Sequence, residues 1–155
     1  IDRDLTMVDY ITEIIKSFRE TSKKEFTINI DQFSNSLNIS KSIEIVYGLR
    51  NFIGNANKFS KSKVFINIKS DNNFTEVVIE DDGEGYPKDV LRNIGEPYIK
   101  SYKLSIKSKT GLGLGIFIGK TLLEKNYADI LFRNSLTRGG AEVNIKWRNR
   151  DLLNL

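Results

Sequence analysis

The sequence predicts an α+β domain, and three observations carry that reading. Apolar and polar residues alternate with period two in segments of strand length: Phe26, Ile28 and Ile30; Val64, Ile66 and Ile68; Val143, Ile145 and Trp147. Apolar stripes at helical spacing mark other segments: Ile11, Ile14, Ile15 and Phe18, then Ile45, Leu49, Phe52, Ala56 and Phe59. The chain has 155 residues, the size of one ordinary domain, and its 39% hydrophobic and 28% charged content is enough to bury a core.

The elements follow in order. Leu5 to Val8 reads as a short strand, with Asp9 as the cap of a helix running to about Arg19. Ser22 to Lys24 turns the chain into the strand of Phe26, Ile28 and Ile30. Asp31 to Ser40 is polar and turn-rich, with room for a short edge strand near Leu37 to Ile39. Ser40 or Ser42 opens a long helix to about Phe59. Val64 to Ile68 and Phe74 to Glu80 form a hairpin across Asp71-Asn72-Asn73, and Lys88 to Asn93 is a short helix. Gly95 to Thr110 has weak periodicity and reads as a lid, since a loop of this length inside a compact domain is usually functional. A glycine loop then leads into a helix to about Tyr127. Ile130 and Phe132 mark a strand, Arg138-Gly139-Gly140 turns, and a last strand carries Trp147. Residues 1–148 are expected to be one domain and 149–155 a tail.

Composition narrows the chemistry. There is no cysteine, so disulfides, thiolate chemistry and Cys-based metal sites are excluded for this sequence. There is no histidine, which removes the commonest general base and any phosphohistidine on this chain. The net charge is +4, spread along the chain with some bunching from Lys100 to Lys109, which reads as solvated faces more than a nucleic-acid surface. Phe26, Phe52 and Phe59 sit at core-periodic positions, whereas single-strand binding needs exposed aromatics beside the cations. Phe65 is the exception, on the strand face opposite Val64 and Ile66. No apolar run approaches the roughly 20 residues that span a bilayer, and the first residues are charged, unlike a signal segment.

Three motifs carry chemistry. Lys109-Thr110-Gly111-Leu112-Gly113-Leu114-Gly115 places glycines at alternate positions before an apolar run, so that backbone N–H groups and a helix N-terminus can meet a phosphate. It is not a P-loop, because Gly119-Lys120-Thr121 would need glycine at Leu114. It is not the dinucleotide fingerprint, because Gly111-x-Gly113 would need glycine at Ile116. Asn51, Asn55 and Lys58 line one flank of the long helix beside its buried stripe. Asparagine competes for the backbone and is a poor helix former, so two a turn apart suggest a site. Asp81-Asp82-Gly83-Glu84-Gly85 sets a carboxylate at a strand end before two glycines, where a ligand can approach without side-chain obstruction.

Taken together, these motifs resemble the ATP-binding domain of sensor histidine kinases, within the gyrase, heat-shock chaperone, kinase and mismatch-repair ATPases. The similarity runs from about Leu5 to Trp147. Gly95-Glu96-Pro97-Tyr98 and the run from Gly115 to Glu124 look most like the redox-responsive kinases of the RegB/PrrB type. The resemblance implies a two-layer fold, a mixed sheet of about five strands with three helices on one face. It implies that Asp81 accepts a hydrogen bond from the adenine amino group, with Gly83 and Gly85 letting the backbone pass the base. It implies Asn55 as the Mg²⁺ ligand, with Asn51 and Lys58 near the phosphates. Gly111, Gly113 and Gly115, with Thr110, Leu112 and Leu114 between and beside them, match the box whose amides meet the phosphates. Pro97 and Tyr98 match the hinge of the lid, and among the lid lysines Lys100, Lys103, Lys107 and Lys109 each offer a phosphate contact. Asp82 and Tyr86 depart from the usual residues of the box.

The implied activity is transfer of the γ-phosphate of Mg-ATP to a histidine on a separate dimerisation domain, with a response regulator downstream. The resemblance sets this domain in the cytoplasmic part of a bacterial, membrane-anchored sensor, itself touching neither membrane nor nucleic acid. Hydrolytic relatives carry a water-activating glutamate where this chain has Asn51, and an amide accepts no proton at neutral pH. Slow hydrolysis is therefore expected. The same residue weighs against the rival reading, a stand-alone anti-sigma-type serine/threonine kinase. A further alternative is a nucleotide-binding regulatory module without phosphotransfer.

Overall fold

The computed structural model describes residues 5–31, 37–40, 42–94 and 112–155, with Leu112 described through its backbone. The strands are β1 (Leu5–Thr6), β2 (Glu25–Ile30), β3 (Asn38–Ile39), β4 (Lys63–Ser70), β5 (Phe74–Asp81), β6 (Asp129–Asn134) and β7 (Ala141–Arg148). The helices are α1 (Met7–Arg19), α2 (Ile43–Phe59), α3 (Lys88–Asn93), α4 (Leu112–Glu124) and α5 (Asn149–Leu153). Five strands form one mixed sheet in the order β2-β4-β5-β7-β6, and β1 pairs with β3 in a separate ribbon. Among the described strands only β2 and β4 are parallel. A parallel pair needs a long crossover, and α2 supplies it.

Register turns the alternating pattern into rows across the sheet. Ile66 faces Ile79, which faces Val143, which faces Phe132; Ile68, Val77, Ile145 and Ile130 form the next row. These rows meet the stripes of α1 and α2 and the end of α4 in one core. In the neighbouring row Phe26 faces Val64 and Val64 faces Asp81. A carboxylate thus occupies a core-face position at the open end of the sheet, and it is 3% exposed.

Two local expectations change and a third is narrowed. Thr6, not Asp9, caps α1: the Thr6 hydroxyl accepts from Asp9 N–H at 3.1 Å, and the Asp9 carboxylate accepts from Thr6 N–H at 3.0 Å. The strand therefore ends at Thr6, because a reciprocal capping box satisfies two N–H groups where a lone Asp9 cap would satisfy one. Ser42 caps α2, its hydroxyl accepting from Ile45 N–H at 3.3 Å. The stretch expected as a tail forms α5, which lies against β3 and β7 with Leu152 wholly buried.

The glycine segment also differs. Gly113 and Gly115 lie inside α4 rather than in a loop before it. Close packing accounts for glycine here despite its helix penalty of about 1 kcal/mol. Gly48 meets Leu123, Phe52 meets Gly119, and Asn55 meets Gly115, so α2 and α4 run antiparallel in close contact. A Cβ at Gly119 would stand 2.8 Å from the Phe52 ring. The helix closes by a Schellman arrangement, with Ala128 N–H donating to Leu123 O at 3.2 Å and Tyr127 in the left-handed region at φ 67°.

Candidate functional site

A cleft of about 530 Å³ opens between the C-terminal half of α2, the end of β5 and the segment from Gly83 to Val90. Phe52, Ala56 and Phe59 of α2 form one wall, and Ile79 and Val143 of the sheet form its floor. Asp81 lines it where β5 ends. Gly83 N–H donates to Asp81 Oδ1 at 2.8 Å, and Ala141 N–H donates to the same oxygen at 3.3 Å. Oδ2 receives no hydrogen bond from the described residues. Burial raises the Asp81 pKa above its ordinary 3.8; the two backbone hydrogen bonds oppose this, Asp82 adds to it and Lys24 offsets it. One oxygen is thus fixed by the fold, and the other remains for a ligand donor in an apolar setting.

The glycines around Asp81 are required by the protein itself. A Cβ on Gly83 would collide with the carbonyl oxygen of Phe59, and one on Gly140 would collide with both the Asp81 carboxylate and the Asp81 carbonyl. Gly85 has φ +86°, and a Cβ there would stand 2.7 Å from Asn134 Oδ1. Gly140 and Ala141 were legible only as a turn before a strand. The signal that marks them is register: they fall beside the last residue of β5.

Asp82 has a different role from its neighbour. Its Oδ1 accepts from the N–H groups of Lys61, Ser62 and Lys63 at 2.8, 3.1 and 3.1 Å, and its Oδ2 accepts from the Ser62 hydroxyl at 3.1 Å. It pins the turn from α2 into β4. Desolvation alone would raise its pKa, but the hydrogen bonds from Ser62, Lys63 and Lys61 together hold it at about 2. A depressed carboxylate stabilises the fold above its unfolded value of 3.8 and loses that contribution as pH falls toward about 2. Asp81, with its raised value, protonates first. Ligand affinity is therefore expected to fall on acidification before the fold weakens; parallel calorimetry and circular dichroism between about pH 7 and pH 2.5 check this. Simultaneous loss would contradict the separate roles.

Asn55 stands on the wall of the cleft, and its amide has no hydrogen-bond partner among the described residues. A Cβ on Gly115 would stand 3.0 Å from Asn55 Oδ1, so the amide lies against the first turn of α4. The first four N–H groups of a helix have no partner within it, and the helix dipole is positive there. Gly113 is buried, while Leu114 and Gly115 are half-buried. The arrangement suits an anionic group at the junction of α2 and α4.

The other expected residues divide. Asp81, Gly83, Gly85 and Asn55 line one cleft. Asn51 and Lys58 do not line it. The Asn51 amide donates to Tyr47 O at 2.8 Å, and Lys58 Nζ lies 5.3 Å from the centre of the Phe59 ring. Pro97, Tyr98, Lys100, Lys103, Lys107, Lys109, Thr110 and Gly111 lie outside the described residues. Phe65, on the outer sheet face, lies under the Arg138 guanidinium at 3.9 Å. No described helix is long and apolar enough to cross a membrane.

The chain belongs to the family described as histidine kinase-, DNA gyrase B- and HSP90-like ATPases, which matches residues 40–151. Sensor histidine kinase RegB of Cereibacter sphaeroides is 35% identical over 119 residues, 67% of this chain and 26% of that protein. Sensor protein kinase PilS of Pseudomonas aeruginosa is 33% identical over 99 residues, 59% of this chain and 18% of that protein. The chain thus spans about a quarter of the length of RegB. Among solved structures, the catalytic domain of histidine kinase ThkA superposes with a TM-score of 0.74 at 18% identity, covering 96% of this chain and 98% of that one. The mycobacterial sensor histidine kinase MprB gives 0.66 at 19% identity, covering 96% and 97%. At these identities the two structures show the fold.

Proposed function

We propose that this chain, the terminal helix α5 included, forms the catalytic domain of a two-component sensor histidine kinase. It binds Mg-ATP in the cleft and donates the γ-phosphate to a histidine on a separate dimerisation domain, from which a response regulator takes it. The observation that carries this reading is Asp81: a buried carboxylate with one oxygen committed to the fold and the other open to the cleft. An ionised acceptor there accepts from the amino group of adenine and repels the carbonyl of guanine. The sequence has no histidine, so the acceptor comes from another domain. The sensor histidine kinases among the relatives support the same reading. A bacterial, membrane-anchored sensor with this domain on the cytoplasmic side belongs to the proposal.

The residues present fit a magnesium ion. The Asn55 amide oxygen is a hard, neutral ligand with no partner among the described residues. No cluster of three or more acidic, His or Cys side chains suited to a metal occurs among the described residues. An ion held here would complete its shell from phosphate oxygens and water, as Mg²⁺ commonly does. When bound, it would neutralise charge on the phosphates. The first turn of α4 orients them through its N–H groups, the lid lysines add positive charge, and Asn51 provides no base to activate water. Catalysis on this account is positioning and charge neutralisation.

Phosphotransfer from labelled ATP to an added histidine-bearing dimerisation domain tests the proposal. Asn55→Ala is expected to reduce Mg²⁺-dependent transfer at least about tenfold while leaving adenosine affinity within about twofold. Equal loss of both would mean that the substitution has only damaged α2. No transfer by the native chain to any such domain would refute the kinase reading.

A further inference from the structure

Tyr86 is a polar residue in an apolar corner of the cleft. It is 8% exposed and clusters with Val90 and Ile116. Its ring meets Phe132 edge-on, with centroids 6.1 Å apart and planes at 76°. Its backbone is clamped by one side chain: Tyr86 N–H donates to Asn134 Oδ1 at 2.6 Å, and Asn134 Nδ2 donates to Tyr86 O at 3.2 Å. Ring and backbone are therefore both fixed. The residue lines the cleft, yet its hydroxyl forms no hydrogen bond with any described residue.

That hydroxyl is a donor at any physiological pH. Burial first, then the nearby Asp81 and Glu142 carboxylates, push its pKa far above the ordinary tyrosine value. Tyr86 lines the cleft, and its oxygen is not among the buried side-chain atoms left without a partner. Phenylalanine would keep the ring contacts. The packing around Tyr86 thus explains its ring and leaves its oxygen unexplained.

We propose that the Tyr86 hydroxyl is a second base-contacting group, donating a hydrogen bond to a ring nitrogen of the adenine whose amino group Asp81 accepts. The inference rests on the ATP reading above. Adenine has an acceptor nitrogen on either side of its amino-bearing carbon, N1 one bond away and N7 across the ring junction. An acceptor at Asp81 and a donor at Tyr86 together match an amino group beside a ring acceptor. Guanine presents a carbonyl in place of the amino group and an N1–H donor in place of the N1 acceptor, while its N7 still accepts, so a contact at N1 reads adenine at two points and a contact at N7 adds affinity only.

Calorimetry with ATP, 1-deaza-ATP and 7-deaza-ATP, on the native chain and on Tyr86→Phe, tests this. The variant is expected to bind ATP roughly five- to tenfold more weakly. It should bind one deaza analogue as well as the native chain does, because that analogue lacks the acceptor. Its thermal midpoint should not fall, since the hydroxyl has no partner among the described residues. Unchanged ATP affinity in Tyr86→Phe, or the same loss on all three nucleotides, would overturn the contact and leave the hydroxyl to water or the ring to packing alone. If Asp81→Asn loses ATP while Tyr86→Phe does not, only this inference falls. If the native chain shows no preference for ATP over GTP, the adenine reading falls with it.

Discussion

Gly140→Ala is expected to abolish adenine-nucleotide binding and to lower stability by about 3 kcal/mol, roughly 6–12 °C in Tm for a domain of this size. The added methyl would lie inside the van der Waals shells of the Asp81 carboxylate and the Asp81 carbonyl. Neither can retreat freely. The carboxylate is held by Gly83 and Ala141, and the carbonyl belongs to the end of β5. The adjacent glycine is the control. Gly139 has φ +87°, but a Cβ there would meet nothing within 4 Å. Gly139→Ala should therefore carry only the backbone cost of about 1–2 kcal/mol and keep its affinity. Thermal unfolding and calorimetry on both variants decide the matter. Equal behaviour would contradict the close approach of Gly140 to Asp81.

Asp81→Asn is expected to weaken ATP binding by about 1.5–3 kcal/mol, roughly 10- to 150-fold. The fold should survive, because an amide oxygen can still accept from Gly83 and Ala141. That choice of orientation turns the amide N–H group toward the ligand, where it faces the adenine amino group donor to donor. The same N–H group suits the guanine carbonyl, so the ratio of ATP to GTP affinity should narrow as well. Calorimetry with both nucleotides measures each effect. Unchanged ATP affinity would remove Asp81 from the base site.

The features that the sequence made plain share a cause. Period-two and period-3.6 patterns report burial directly, so β4, β5, β7 and the stripe of α2 stand where Val64, Phe74, Val143 and Ile45 place them. The hairpin turn was legible because Asp71 accepts from the N–H groups of Asn73 and Phe74, a local interaction written in neighbouring residues. Asp81, Gly83 and Gly85 were legible as a site because strand end, carboxylate and glycines are contiguous.

What escaped the sequence depends on partners far along the chain. Asp82 reads as a departure from the family pattern, and only the fold brings it to Lys61, Ser62 and Lys63. Gly140 reads as a turn residue, and only pairing of β5 with β7 brings it to Asp81. Tyr86 reads as a departure from a family pattern, and the clamp by Asn134 that fixes it comes from β6. Gly113 and Gly115 read as loop because glycine disfavours helix, while contact with α2 decides otherwise. The terminal helix was missed because five residues are too few to show periodicity, although Leu152 fills a core position.

The most direct measurement is calorimetric titration of the native chain with ATP and with GTP, each with and without Mg²⁺. The account predicts ATP binding at least about tenfold tighter than GTP binding. The preference should be retained without Mg²⁺, because the carboxylate of Asp81 reads the base and not the phosphates. Equal affinities, or a preference that disappears with the metal, would contradict it.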